Sequence, residues 1–336
     1  MICENPIIIG GSGSSGSTLL ISILNRHPLI AGGPELSLLN KSYFFDNPYI
    51  KIKKESKKIT KKGLCTNGWF LYPKIHFKKY IYSDKEFQNL IEKAESQKEL
   101  LDNFFIQYLL KKQKSIWAEK TPSNSYCFKQ LLELYPKARI IHIYRDGKDV
   151  ITSLIKRGMS PYFASMLWLY NTSFALMFKN HPNYYEIKYE DLVGNPKKVI
   201  VELCNFLNID FSEKMLNTQS KTNVKIDTWN NTPDSKISNN SVGNYKSFLT
   251  KYHLYIFSKS RISNKHVKKY KLPFSSSYEI QKALGYQFTN IKITKPKRIA
   301  FFLGLLFQFL KDIVERQYIL IKYDRRFLPY PGKIIF

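Results

Sequence analysis

The stretch "IIIGGSGSSGSTLL", residues 7 to 20, constrains this chain more than any other. β-Branched residues run into a Gly/Ser turn, and a helix-like apolar pattern opens at Thr18. Strand, tight turn and helix in that order point backbone N–H groups and a helix N-terminus at one spot, which makes a phosphate site. Three ligand classes fit. Gly11, Gly13 and Gly16 satisfy the dinucleotide pattern G-x-G-x-x-G. Gly11 to Thr18 satisfies the triphosphate pattern G-x-x-x-x-G-K-[ST], except that Ser17 stands where Lys belongs. The third class is another phosphate-bearing ligand. In each case positive charge must come from elsewhere in the chain.

The rest of the pattern places that turn in an α/β fold. "SIWAEKTP" predicts a strand ending at Lys120, with a helix after Ser123. "ARIIHIY", 138 to 144, predicts a buried strand, and Asp146 caps the helix "GKDVITSLIKR". A long helix is expected over about 162 to 180, and "NYYEIKYEDL" predicts a strand reaching Leu192. Pro28 and Gly32-Gly33 mark a turn before "PELSLLNK". Residues 46 to 83 read as irregular, with "KIKKESKKITKK" as a solvated insert, and 84 to 112 carry helical periodicity. Strands alternating with helices imply a mostly parallel sheet flanked by helices. Ligands of such sheets sit at the carboxyl ends of the strands. Gly11, Lys120, Arg145 and Tyr189 fall at those ends, so separate segments point at one crevice.

The missing charge is found there. Lys120 and Arg145 come from neighbouring strand ends. Ser153 and Arg157, four residues apart on the next helix, share a face. Arg145 with Ser153 can clamp a second phosphate through the planar guanidinium fork. Two phosphate sites suit a nucleoside phosphorylated at both ends. The formal net charge of +27 favours anionic partners, although abundant Lys, Asn, Ile and Tyr together also fit an AT-biased genome. The four cysteines, Cys3, Cys65, Cys127 and Cys204, lie far apart and form no C-x-x-C pair. They predict reduced thiols in a cytoplasmic protein, not a disulfide framework or a zinc site. No signal peptide is expected, because the first strand begins within a few residues of Met1. No metal cluster is legible.

The ordered segments "GGSGSSGSTLL", "NRHP", "EKTPSN", "YRDGKDVITSLIKR" and "KYEDLVGNP" resemble the sulfotransferases that use 3′-phosphoadenylyl sulfate (PAPS). In pattern they are most similar to the tyrosylprotein-sulfotransferase branch and its bacterial relatives. The resemblance runs from Ile7 to about Tyr286. It implies a P-loop-like α/β fold with a sulfotransferase domain over 1–290, a variable insert at about 44–115 and a helical C-terminal extension over 291–336. It also implies PAPS as co-substrate, 3′-phosphoadenosine 5′-phosphate (PAP) as product, no metal, and a hydroxyl-bearing acceptor: carbohydrate, small molecule or tyrosine. By resemblance, Ser14, Ser15, Gly16, Ser17, Thr18 and Leu19 hold the 5′-phosphosulfate end. Arg145, Ser153 and Arg157 hold the 3′-phosphate, and Tyr189, Lys236 and Ser241 contact the nucleotide. Glu35 matches the general base and Lys120 the group that stabilises the bridging oxygen. One departure stands out: Ser14 occupies a position where the family usually carries Arg or Lys.

Other readings remain open at this stage. Glu35 fits a helix cap as well as a base, or the ribose-binding acid of a dinucleotide oxidoreductase. Tyr189 fits the core as well as a nucleotide contact, and His27 and His142 read as structural. Ser14 also fits a PAP-binding protein with weakened catalysis. Nucleic acid is not expected as a partner. Beyond residue 291, "IAFFLGLLFQFL" (299–310) is too short to span a bilayer. Its apolar residues recur at spacings of three and four, flanked by Lys295, Lys297, Arg298, Lys311, Lys322, Arg325 and Arg326. That pattern fits a helix lying in an anionic membrane surface, or one packed on protein.

Overall fold

The computed structural model describes residues 3–36, 39, 42–54, 80, 82–217, 237–288 and 310. Five strands form one sheet: β1 (Ile7–Gly11), β2 (Ile30–Gly32), β3 (Ile116–Lys120), β4 (Arg139–Tyr144) and β5 (Tyr184–Lys188). Their order is β2-β3-β1-β4-β5, and every pairing is parallel. All carboxyl ends therefore open on one edge of the sheet. β1 and β3 are buried throughout, as strands covered on both faces must be.

Short local signals set the helices. Helix α1 (Ser17–Asn25) starts after Gly16, which is left-handed at φ 97°. Helix α2 (Asp84–Lys93) is closed by a capping box between Ser83 and Glu86, and α3 (Gln97–Lys112) is capped by Ser96. Helix α4 (Gly147–Lys156) takes its cap from Asp146, whose side chain accepts from the Lys148 N–H. Helix α5 (Pro161–Leu176) begins with proline behind the Ser160 cap. The main core packs β1, β3 and β4 against α1 and α3. A second cluster joins Val150, Ile151 and Leu154 of α4 to Trp168 and Leu169 of α5 and to Phe257 and Ile280.

Four sequence expectations need correction. Gly32-Gly33 was expected in a turn, but Gly32 ends the edge strand β2, which pairs with β3 through Ile30 and Ile116. The strand expected to reach Leu192 stops at Lys188, and Tyr189 opens a short helix to Gly194. The helix expected at "ELSLLNK" does not begin at Glu35: Glu35 and Leu36 have no regular secondary structure. The stretch from residue 46 is not wholly irregular or solvated either. Residues 49–54 are helical, and Ile52 is fully buried in the core. The rest of that insert to residue 79, Lys236 and the tail from 291 lie outside the described residues, apart from Leu310.

The strand order also separates two of the candidate ligands. In dinucleotide-binding sheets the second strand lies beside the first. Here β3 lies between them, so the residue after β2 faces the glycine loop across the end of β3.

Candidate active site

The loop from Ser12 to Gly16 joins β1 to α1, and its backbone has little freedom. Gly11 has φ 145°, and a Cβ there would stand 2.3 Å from the Ile143 carbonyl oxygen. At Gly16, a Cβ would stand 2.4 Å from the Tyr189 ring. Ser14 is itself left-handed, at φ 69°. The Ser15 hydroxyl donates to the Ser12 carbonyl and closes the turn. Gly11→Ala is expected to cost about 3 kcal/mol, combining backbone strain with a clash against a central strand. A urea midpoint matching the parent's would rule that out.

Charge reaches this loop from both sides. The Lys120 side chain is fully buried, and its Nζ donates to Glu35 Oε1 at 2.8 Å and to Thr18 Oγ1 at 3.2 Å. The ammonium thus bridges the first turn of α1 and a carboxylate that keeps 22% of its side-chain surface exposed. On the other side, Arg145 donates through Nη1 to the Ser14 carbonyl at 3.2 Å and through Nη2 to the Ser241 carbonyl. Its guanidinium lies 4.6 Å from the Tyr189 ring centre. Arg145 is 6% exposed, yet its Nε has no hydrogen-bond partner. Neither do the buried hydroxyls of Ser12 and Ser14. Three orphaned donors around one turn describe a cradle for an anion, because buried polar groups left unpaired are costly.

The remaining predicted residues take definite places. Ser15, Ser17, Thr18 and Leu19 lie on the loop and the first turn of α1. The N–H groups of that turn have no intrahelical acceptor. Ser153 is half-buried on α4, and Arg157, the residue that caps the C-terminus of α4, is exposed. Their side chains have no polar protein partner among the described residues. Tyr189 is buried and wedged between Gly16 and Arg145, so it shapes the loop as well as facing the site. Ser241 reaches Arg145 with its carbonyl rather than its hydroxyl. His27 accepts from the Leu29 N–H through Nδ1 and meets the Asp210 carbonyl through Nε2, a structural role. His142 is buried against the Tyr184 hydroxyl, and burial holds its pKa below the usual histidine value.

A model of the sulfotransferase family matches residues 6–213, more than half the chain. The chain belongs to the sulfotransferase family. The protein-tyrosine sulfotransferase of Drosophila melanogaster is 21% identical over 259 residues, covering 71% of this chain and 44% of that protein. An omega-hydroxy-beta-dihydromenaquinone-9 sulfotransferase of Mycobacterium bovis is 26% identical over 123 residues, 31% of this chain and 32% of that one. The chain therefore spans less than half the length of either curated relative. Among solved structures, the sulfotransferase domain from the curacin biosynthetic pathway has the same fold. Its TM-score is 0.59 at 20% identity, over 85% of this chain and 99% of that one.

Two acidic residues beside the site carry no motif that marks them in the sequence. Asp149, one turn after Arg145, accepts from the Gly243 N–H at 2.7 Å and the Tyr245 N–H at 2.9 Å. It lies 3.7 Å from Arg145. Asp149 thereby pins the 241–245 segment over the arginine. Its spacing from Arg145 was the available signal, but it reads equally as a simple ion pair. Glu119 is buried beside Lys120, and a charged residue inside an otherwise apolar strand was its signal. No group of His, Cys, Asp and Glu that could hold a metal occurs among the described residues.

Proposed function

We propose that this chain transfers a sulfuryl group from PAPS to an acceptor hydroxyl. The observation that supports it most is the Lys120 ammonium, shared between Thr18 beside the anion cradle and Glu35 on the open side. In-line sulfuryl transfer needs positioning and electrostatic stabilisation more than covalent help from the protein. Glu35 takes the proton of the acceptor hydroxyl as the acceptor oxygen bonds to sulfur. Lys120 stabilises the charge left on the bridging oxygen as its bond to sulfur breaks, and PAP departs. The loop from Ser14 to Leu19 holds the 5′ end. Arg145, Ser153 and Arg157 hold the 3′-phosphate, with Tyr189 and the Lys236 to Ser241 segment against the nucleotide. Lys120 and Arg145 supply the charge that a basic residue at position 14 gives other family members.

PAP binding and a single-turnover assay with labelled PAPS test this reading. The parent protein is expected to be stabilised by PAP and to release PAP from PAPS. PAP binding without turnover favours the second reading, a nucleotide-binding protein weakened by Ser14. In that case Ser14→Arg should raise the rate.

For the acceptor side, we read the tail beyond residue 291 as a segment that lies in an anionic membrane surface. No helix among the described residues is long and apolar enough to cross a membrane. The lipid-quinone acceptor in the mycobacterial relative's name points in the same direction. The full chain should float with anionic liposomes, and a chain ending near residue 290 should not. Equal behaviour of the two removes the tail from the proposal.

A further inference from the structure

Glu119 has no part in the transfer chemistry described above, and it is fully buried. A carboxylate in such a place is tolerated when donors surround it. Glu119 has three. Its Oε1 accepts from the Leu36 N–H at 2.9 Å and from the Thr121 hydroxyl at 2.7 Å. Its Oε2 accepts from Asn124 Nδ2. The same Nδ2 donates to the Ile9 carbonyl of β1 at 3.1 Å, which fixes which way the amide points. Burial pushes the Glu119 carboxyl above the ordinary glutamate range, and the donors from Asn124, Thr121 and Leu36 oppose that shift.

The position of these bonds matters more than their number. Leu36 directly follows Glu35. The backbone just before it is held as well: the Tyr80 hydroxyl donates to the Pro34 carbonyl at 2.7 Å and the Tyr108 hydroxyl to the Gly32 carbonyl at 2.9 Å. Glu35 thus lies on a segment without regular secondary structure that is fastened on both sides by buried side chains. Glu119 is one of the two fastenings that flank it directly, and it stands next to Lys120 on the same strand.

We propose that Glu119 is a positioning residue for sulfuryl transfer, whose carboxylate fixes the backbone after Glu35 so that the Glu35 carboxylate stays on the Lys120 ammonium. The proposal rests on the transfer reading above. Misplacing a reacting group by about 1 Å can cost on the order of 100-fold in rate. Glu119 touches neither acceptor nor nucleotide in this role, so its loss should act on turnover and spare nucleotide affinity.

The test is Glu119→Leu in the full chain. The variant has a similar volume and no oxygen, so the Leu36 N–H, the Thr121 hydroxyl and Asn124 Nδ2 all lose their acceptor. Three quantities are read: the thermal shift with PAP, PAP release from PAPS with tyrosine amide as acceptor, and backbone amide exchange across residues 32–36. The expected result is a kcat lower by about 10- to 100-fold. KM for PAPS should stay within about threefold and the PAP shift should be retained. Exchange across 32–36 should be faster by about tenfold or more, with β4 unchanged. Turnover within about twofold of the parent overturns the proposal. So does unchanged exchange across 32–36, and so does an equal rise in exchange throughout the sheet. Should Glu119→Leu fail to fold, Thr121→Val removes one of the two donors to the oxygen that holds Leu36, at nearly constant shape. It should slow turnover several-fold and loosen the same segment, and no change in either overturns the proposal. Amide exchange needs no turnover. A parent protein that binds PAP but releases none from PAPS counts against tyrosine as the acceptor, one that does not bind PAP counts against sulfuryl transfer, and the exchange data report separately on the grip of Glu119.

Discussion

Glu35→Gln is expected to abolish most turnover while leaving PAP binding in place. Losing a general base typically costs on the order of 10²–10⁴ in rate, which corresponds to about 3–5 kcal/mol in the barrier. The geometry separates this effect from simple damage. Glu35 meets Lys120 through Oε1 at 2.8 Å, and a glutamine can present a carbonyl oxygen to the same ammonium. Thr18 still accepts from Lys120 on the other side. The buried lysine therefore keeps acceptors, and the variant should fold. What it lacks is a group that can take a proton. On the proposed reading PAP binds through the loop and Arg145, so the PAP-induced thermal shift should match the parent's. Turnover equal to the parent's would leave Glu35 as no more than the partner that keeps Lys120 in place.

The same pair shows how far the sequence could be read. β1 and β4 are legible because a central parallel strand is a continuous apolar run, and both runs end at a glycine or an arginine that serves the site. β2 is not legible: "IAG" is three residues long and ends in glycine. It is a strand because Ile30 and Ala31 pair with Ile116 and Trp117, a long-range fact absent from the local pattern. Lys120 and Arg145 were found because strand ends converge in such sheets, whatever the ligand. Helical spacing put Ser153 and Arg157 on one face after Arg145, and the family resemblance then supplied their assignment to the 3′-phosphate and the base role of Glu35. Asp149 and Glu119 were harder. Their partners are backbone N–H groups 94 and 83 residues away in the chain, and such bonds leave no mark on composition or period. The aromatic grip of Tyr80 and Tyr108 on residues 32–34 is hidden for the same reason.

Arg145→Ala is expected to remove most of the affinity for PAP. PAP at about 100 times its dissociation constant should stabilise the parent by about 2.7 kcal/mol, a rise of roughly 5 °C in a domain this large. Arg145 offers a buried guanidinium with an unpartnered Nε, set beside a turn in which the Ser12 and Ser14 hydroxyls also lack partners. Charge-assisted hydrogen bonds contribute about 1.5–3 kcal/mol each, so losing the fork should weaken PAP by about 100-fold or more and leave a thermal shift near zero. The free protein should lose stability too, because Arg145 ties Ser14 to Ser241 and lies over Tyr189. Asp149 limits that damage, since it keeps the Gly243 and Tyr245 N–H groups after the arginine is gone. Arg145→Lys isolates the fork from the charge. One ammonium cannot reproduce the planar pair of donors that reaches Ser14 and Ser241, so this variant should bind PAP at an intermediate level. If Arg145→Ala instead binds PAP as the parent does, the anion is held elsewhere and the cradle between the glycine loop and α4 is not the nucleotide site.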